Sequence, residues 1–357
     1  MVYRVVHCGT GFVGKTAIQL LQQRPDVKIV GQYVSTPEKA GKDTGELAGI
    51  APIGVKATNS WQEVIDLKAD VLTYFADSVR RERQAIEDII PFLEAGTNVI
   101  SISAWELGHR ATVPPDLLAR IDAACKKGNS SVYYTSIDPG WATSDLTMTL
   151  LAIANRIDSV RMIEFGNFVQ YTSEYASREY FGFGKPPGFK PILARGGLIQ
   201  QMWAPTLHRI AEVLEVEIEG FETAYDTASV GRDIQTGFGL VKAGTASVVH
   251  FELQALNRGR PFAILEHVDT LLPTFTEVGT QWSQPKAPDS SYRVEVKGNP
   301  DLSVEFQHTM EGAPIICASP AINAIPAVVA APAGFLGPLD VPRYSTRNVS
   351  ARLGPWP

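Results

Sequence analysis

Gly9-Thr10-Gly11-Phe12-Val13-Gly14 sets three glycines at G-x-G-x-x-G spacing. The apolar run Val2–His7 precedes it, and Phe12–Gln23, with apolar residues at helical spacing, overlaps and follows it. Between a strand and a helix this spacing has a chemical use. Gly9 permits the tight turn, Gly11 lets the backbone approach a pyrophosphate, and Gly14 lets helix and strand pack closely. The N–H groups that open the helix then favour phosphate. In a chain with 30 glycines the motif alone is weak evidence. A second strand, Val27–Val34, at the spacing of a βαβ unit makes a dinucleotide site the better reading than a plain turn. An NAD-type site usually carries Asp or Glu about 20 residues on, at the end of that second strand. Here the strand runs into Tyr33-Val34-Ser35-Thr36, and the first acid is Glu38. Ser35, Thr36 and Lys39 offer hydroxyls and a cation suited to a 2′-phosphate. The competing reading is turn chemistry at Ser35-Thr36-Pro37 with Lys39 solvated. The expected cofactor is NADP, with NAD possible, held by Gly9 to Gly14, Ser35, Thr36 and Lys39.

A second constellation follows the strand Asn98–Ser101: Ser101-Ile102-Ser103-Ala104-Trp105-Glu106-Leu107-Gly108-His109. Open parallel sheets bind ligands beyond the carboxyl ends of their strands, so Glu106 and His109 are the ionisable groups nearest the expected chemistry. Ser103-Ala104-Trp105-Glu106 also matches the S-x-x-E capping box, in which Glu106 would bond the Ser103 N–H. The residues alone leave that structural role and a catalytic one open. His109 reads as a surface helix residue.

The elements that must position these groups are legible as alternation. Val71–Tyr74, a charged helix over about 79–95 stopped by Gly96, Asn98–Ser101, a helix Pro115–Lys127 closed by Gly128, and Ser131–Thr135 continue the strand–helix series. This predicts right-handed βαβ units and a parallel sheet, a Rossmann domain over residues 1–140. An apolar helix, Ser144–Asn155, follows. Strands are then expected at Ser159–Phe165, Val216–Tyr225, Ser247–Leu256, Pro261–Val268, Tyr292–Val296 and Leu302–His308, with helices at Ser173–Tyr180 and Gly197–Leu214. Residues 141–312 therefore read as an α+β domain with a mainly antiparallel sheet, serving substrate binding and dimerisation. The Trp282–Ser291 stretch reads as a hairpin tip or loop. Residues 313–357 read as a C-terminal helix and tail returning to the first domain.

Bulk properties set the limits. A chain of 357 residues with 45% hydrophobic and 20% charged residues suits two buried cores. A net charge of −6 gives no basic field for nucleic acid or anionic lipid. Cys8, Cys125 and Cys317 are scattered without zinc spacing, so no metal is expected and a reducing cytoplasm fits. The N-terminus runs straight into the first strand with no signal-like segment before it. Pro320, Pro326 and Pro332 interrupt the apolar stretch Ile315–Leu336, which argues against a membrane span.

The chain resembles the dihydrodipicolinate-reductase-like group that includes 2,4-diaminopentanoate dehydrogenases and native amine dehydrogenases. The resemblance rests on Gly9 to Gly14, on Ser35-Thr36-Pro37-Glu38-Lys39 with Gly41-Lys42-Asp43-Thr44-Gly45-Glu46-Leu47, and on Glu106 after the fifth strand. It continues at Asp138-Pro139-Gly140-Trp141 and at Asn323-Ala324-Ile325-Pro326-Ala327-Val328. It implies reductive amination of a small ketone or aldehyde with ammonia, and the reverse oxidation of an amine. It also implies that Glu106 is the catalytic base and iminium-stabilising carboxylate, that Asn323 lines the cofactor cleft, and that the protein is a homodimer. Burial would oppose ionisation of Glu106, so neighbouring donors are expected to hold its charge. Where relatives tend to read Asn-Pro-Gly-Phe, Asp138 and Trp141 add a carboxylate and a larger ring.

The second domain is rich in aromatic residues. Trp141, Phe168, Tyr171 and Trp203 are the candidates for an apolar substrate pocket, against core packing as the plainer role. Two other readings stand beside amine dehydrogenation. A reductase of a dicarboxylate or sugar is disfavoured, because Ser131–Leu150 contains no His, Lys or Arg and Trp105-Glu106 stands where a sugar dehydrogenase would place Lys. A dinucleotide-binding sensor without turnover would make Glu106 a cap.

Overall fold

The computed structural model describes residues 1–77, 81–279, 281–342 and 344–348. The chain divides into one unit of Met1–Gly140 with Pro314–Pro357 and a second of Trp141–Ala313.

The first unit begins β1 (Tyr3–Cys8), α1 (Phe12–Gln22), β2 (Val27–Tyr33), α2 (Thr44–Leu47), β3 (Ala57–Thr58), α3 (Trp61–Ile65), β4 (Val71–Tyr74), α4 (Glu82–Glu94), β5 (Asn98–Ser101), α5 (Pro115–Gly128) and β6 (Ser131–Tyr134). These strands are parallel and ordered β6-β5-β4-β1-β2-β3, the doubly wound order whose direction reverses between β1 and β4. Central strands of such a sheet are covered on both faces, which is why all four residues of β4 and of β6 are buried. The expected start of the fourth helix at Val79 lies outside the described residues. Its stop signal is observed: Gly96 has φ +89 just beyond the helix. Gly128 does something other than close α5. The left-handed turn falls on Asn129, while a Cβ on Gly128 would strike the Leu93 carbonyl oxygen at 1.8 Å, so Gly128 is what lets α5 approach α4.

The second unit contains α6 (Leu146–Leu151), β7 (Arg156–Asn167), α7 (Leu198–Leu214), β8 (Gly220–Ser229), β9 (Ile234–Thr236), β10 (Gly239–Val241), β11 (Ala246–Asn257), β12 (Arg260–Thr270), β13 (Ser291–Asn299) and β14 (Leu302–Gln307). Six of these strands form a sheet ordered β14-β13-β7-β12-β11-β8, antiparallel except for β7 beside β12. Each of the six expected strands is present. The apolar helix expected over Ser144–Asn155 is regular only at α6, after an irregular turn. The short β9–β10 hairpin carried no sequence signal.

The chain then returns to the first unit as α8 (Ala313–Ala330) and β15 (Gly334–Leu336), which extends the parallel sheet beside β6. α8 is long and apolar enough to cross a membrane. Its Ala318, Ala321, Ile322, Ala324, Ile325 and Val328 instead share a core with Ala17, Ile18 and Leu21 of α1. An interior proline costs a helix roughly 3 kcal/mol. α8 nevertheless runs unbroken through Pro320 and Pro326, with Pro320 itself buried, because this face is packed against the sheet.

Candidate active site

The glycine turn follows β1, and Phe75 follows β4, so both lie at the point where the strand order reverses. The turn has no room for side chains at two of its glycines. A Cβ on Gly9 (φ +112) would meet the Phe75 carbonyl oxygen at 2.6 Å, and one on Gly14 would meet the Gly9 carbonyl oxygen at 2.6 Å. Gly11 is the opposite case: a Cβ there would meet nothing within 4 Å. That open approach lies at the N-terminus of α1, where Gly11 is the cap residue and no side chain caps the helix. The arrangement fits a dinucleotide pyrophosphate, with the α1 N-terminus supplying N–H groups and partial positive charge. Phe12 is 52% exposed, whereas Val13 packs against the core.

At the end of β2, Ser35 and Thr36 are exposed. Thr36 precedes a 3₁₀ turn at Pro37–Lys39 without capping it through its hydroxyl. Lys39 folds back and donates from Nζ to Thr10 Oγ1 at 2.9 Å, which brings its charge onto the glycine turn. In the following block, Asp43 accepts the N–H groups of Gly45, Ile53 and Gly54 and so fixes a loop.

Asn323 bonds to the chain just after α1. Its Oδ1 accepts from Arg24 Nη1 at 3.0 Å, and Arg24 is buried just beyond the C-terminal end of α1, paired with Asp26. This bond ties α8 to that segment.

Glu106 lies on a 3₁₀ turn, Trp105–Gly108, beyond the carboxyl end of β5. The capping box does not form. Ser101 Oγ accepts the N–H groups of both Ser103 and Ala104, at 3.2 and 3.0 Å, and no side chain caps the Glu106 turn. Thr112 Oγ1 donates to the Glu106 carbonyl at 2.9 Å and ties down the backbone. The carboxyl itself is largely buried, and its Oε2 has no hydrogen-bond partner among the described residues. Burial pushes its pKa from the ordinary 4.5 up to about 7, with a smaller contribution from Glu82 in the same direction. The Glu106 backbone N–H favours the charged form, but by less than burial opposes it, and the N–H groups of Ser103 and Ala104 are spent on Ser101. His109 caps the next turn, accepting from the Ala111 N–H at 3.1 Å.

In the second unit each pocket candidate packs against other aromatic side chains. Phe168 meets Tyr171 edge-on at 5.5 Å and lies 5.1 Å from Phe181. Trp203, 5% exposed on α7, packs on Phe251 and His267 at 4.9 and 5.0 Å. Trp141 is 38% exposed and packs edge-on against Phe306. Phe168 and Trp203 are thus buried, and Trp141 and Tyr171 have accessible surface.

Sequence reasoning missed the polar residues beside these rings. His267 Nδ1 lies 3.7 Å from Glu164 Oε2, and the fully buried Asp269 follows on the same face of β12. A signal existed: alternation along β12 puts His267 and Asp269 together on its covered side. On the opposite face His250, Glu252 and Glu266 come close enough to hold a cation. Arg161 already bridges both carboxylates there, and Glu266 is held down to about 2 by His250, Arg161 and Ser283 against its burial.

Residues 3–81 match the dihydrodipicolinate reductase N-terminus family, and residues 185–352 match the 2,4-diaminopentanoate dehydrogenase C-terminal domain. Both parts of the chain thus match models drawn from this group of dehydrogenases. It is 27% identical over 307 residues to an amine dehydrogenase of Streptomyces virginiae, covering 85% of this chain and 84% of that protein. A 4-hydroxy-tetrahydrodipicolinate reductase of Trichormus variabilis is 36% identical over 62 residues, which is 17% of this chain and 22% of that protein. The solved amine dehydrogenase of Mycobacterium smegmatis superposes with a TM-score of 0.77 at 20% identity, over 97% of this chain and 98% of that one, and so shares the family fold.

Proposed function

We propose that the protein is an NAD(P)-dependent amine dehydrogenase, with NADP as the preferred cofactor and Glu106 as its catalytic carboxyl. The observation that carries the reading is the pKa of about 7 at Glu106, on a turn at the carboxyl end of the same sheet that presents the glycine loop. A cap or a solvated side chain has no use for such a group. An enzyme that moves protons at neutral pH does.

The nicotinamide supplies or accepts hydride when bound. In the aminating direction, the ionised Glu106 takes a proton from the ammonium, so that neutral ammonia adds to the carbonyl carbon. The protonated carboxyl returns that proton to the carbinolamine hydroxyl as water leaves, and the carboxylate then faces the cationic iminium. A pKa near neutrality suits both transfers, and the arriving cation favours the ionised form. Lys39, already at the glycine turn, and the hydroxyls of Ser35 and Thr36 would receive a 2′-phosphate. The substrate would be a small, mostly apolar amine or carbonyl compound, with Trp141, Phe168, Tyr171 and Trp203 as pocket residues. The same reading expects a cytoplasmic homodimer without nucleic-acid or membrane partners.

The test is reduction of NADP or NAD by a panel of small primary amines, with hydroxy acids and amino acids as controls. Turnover with simple amines that disappears in Glu106→Ala while the cofactor still binds is the expected result. A protein that binds NADPH and turns over none of the amines refutes the assignment and leaves a sensor or another reductase.

A further inference from the structure

The reading of the glycine turn leaves one buried polar side chain unused. His7 lies on β1 two residues ahead of Gly9 and is fully buried. Its Nδ1 is 2.8 Å from Thr73 Oγ1 on the adjacent strand β4, and its ring meets Phe75 edge-on at 5.1 Å. The Nε2 edge faces the glycine turn, 3.5 Å from where a Cβ on Gly14 would stand. Burial lowers its pKa to about 4 against the backbone of Gly14 and Gly9, so the ring is neutral at physiological pH. The backbone above it has little slack, since Gly9 abuts Phe75 and Gly14 abuts Gly9. An imidazole fixed on one edge by Thr73 therefore forms the floor of the turn.

We infer that His7 is a positioning residue for the dinucleotide: anchored by Thr73, its ring sets the height and orientation of the Gly9–Gly14 turn that receives the pyrophosphate. The inference rests on the dinucleotide reading of that turn. Interactions that hold phosphate donors in place are felt as cofactor affinity, with little change in the chemical step.

The experiment measures dissociation constants for NADPH and NADH by calorimetry on the full chain, together with melting temperature and, for any substrate turned over, KM and kcat. His7→Asn keeps the reach to Thr73 but stops short of the turn, whereas His7→Gln extends to the place of Nε2. Thr73→Val removes the anchor at nearly constant shape. His7→Asn and Thr73→Val are expected to weaken cofactor binding about tenfold, and His7→Gln about threefold or less. The cofactor KM should follow while kcat at saturating cofactor holds. Wild-type affinity in both His7→Asn and Thr73→Val overturns the inference. So does a His7→Gln as impaired as His7→Asn, with affinity lost only in step with melting temperature. If His7→Asn does not fold, Thr73→Val against His7→Gln decides by the same criteria. A wild-type chain that binds neither cofactor overturns the dinucleotide reading, and this inference with it.

Discussion

Replacing Glu106 by glutamine removes a charge that the native fold holds at a cost. The carboxyl titrates near 7 in the folded chain instead of 4.5, because burial outweighs every stabilising contact it makes. The native state thus binds this proton more tightly than the unfolded chain does. The stability it contributes is fully present below pH 4.5 and is lost as pH rises through about 7. A rise of that size corresponds to about 3 kcal/mol, of which about 2–3 kcal/mol is lost between pH 5 and pH 8.5. Glu106→Gln carries no such titration, so its stability relative to wild type should climb by that amount over the same interval. Urea unfolding of both proteins at half-unit pH steps, followed by tryptophan fluorescence, measures the difference directly. The variant should also lose about 10³-fold or more in amine turnover while still binding cofactor. A difference in stability that stays flat from pH 5 to pH 8.5 would refute the reasoning, whatever the kinetics.

Lys39→Ala should raise the KM for NADP by about tenfold and that for NAD by less, since NADP loses a cation for its 2′-phosphate as well as the positive charge beside the glycine turn; steady-state kinetics with both cofactors checks this. Gly14→Ala should abolish cofactor binding and destabilise the first unit by about 1–3 kcal/mol, because the new methyl meets the Gly9 carbonyl oxygen at 2.6 Å. Gly11→Ala, with open space before it, should keep wild-type melting and lose cofactor affinity only, as calorimetry would show. Asn323→Ala should cost about 1–3 kcal/mol in thermal unfolding by leaving Arg24 short of a partner, with the cofactor KM unchanged.

The two candidate centres were legible in different degrees. The glycine turn declares itself because everything it needs lies within a few residues: the spacing of Gly9, Gly11 and Gly14, an apolar strand before and a helical pattern after. The long strands of the second unit were equally plain, since alternation over eight or more residues survives any error at the ends. The two-residue β3 and the three-residue β9, β10 and β15 were invisible, because pairing with a neighbour defines them and periodicity does not.

By itself the sequence determined which groups stand where chemistry is expected: a glycine-rich helix start, a second strand with no acid after it, and a carboxyl beyond the fifth. It could not say which way that carboxyl would behave. Ser103 and Glu106 had capping-box spacing, and only the folded turn shows Ser101 taking the N–H groups of Ser103 and Ala104 and leaving Glu106 buried with a raised pKa. The tertiary structure also decided the partner of Asn323, which is Arg24 from 299 positions earlier in the chain, and the surroundings of His7, an ordinary strand residue until Thr73 and the glycine turn close around it. In each case the deciding quantity is desolvation or contact summed over segments far apart in the chain. Local spacing carries no record of that sum.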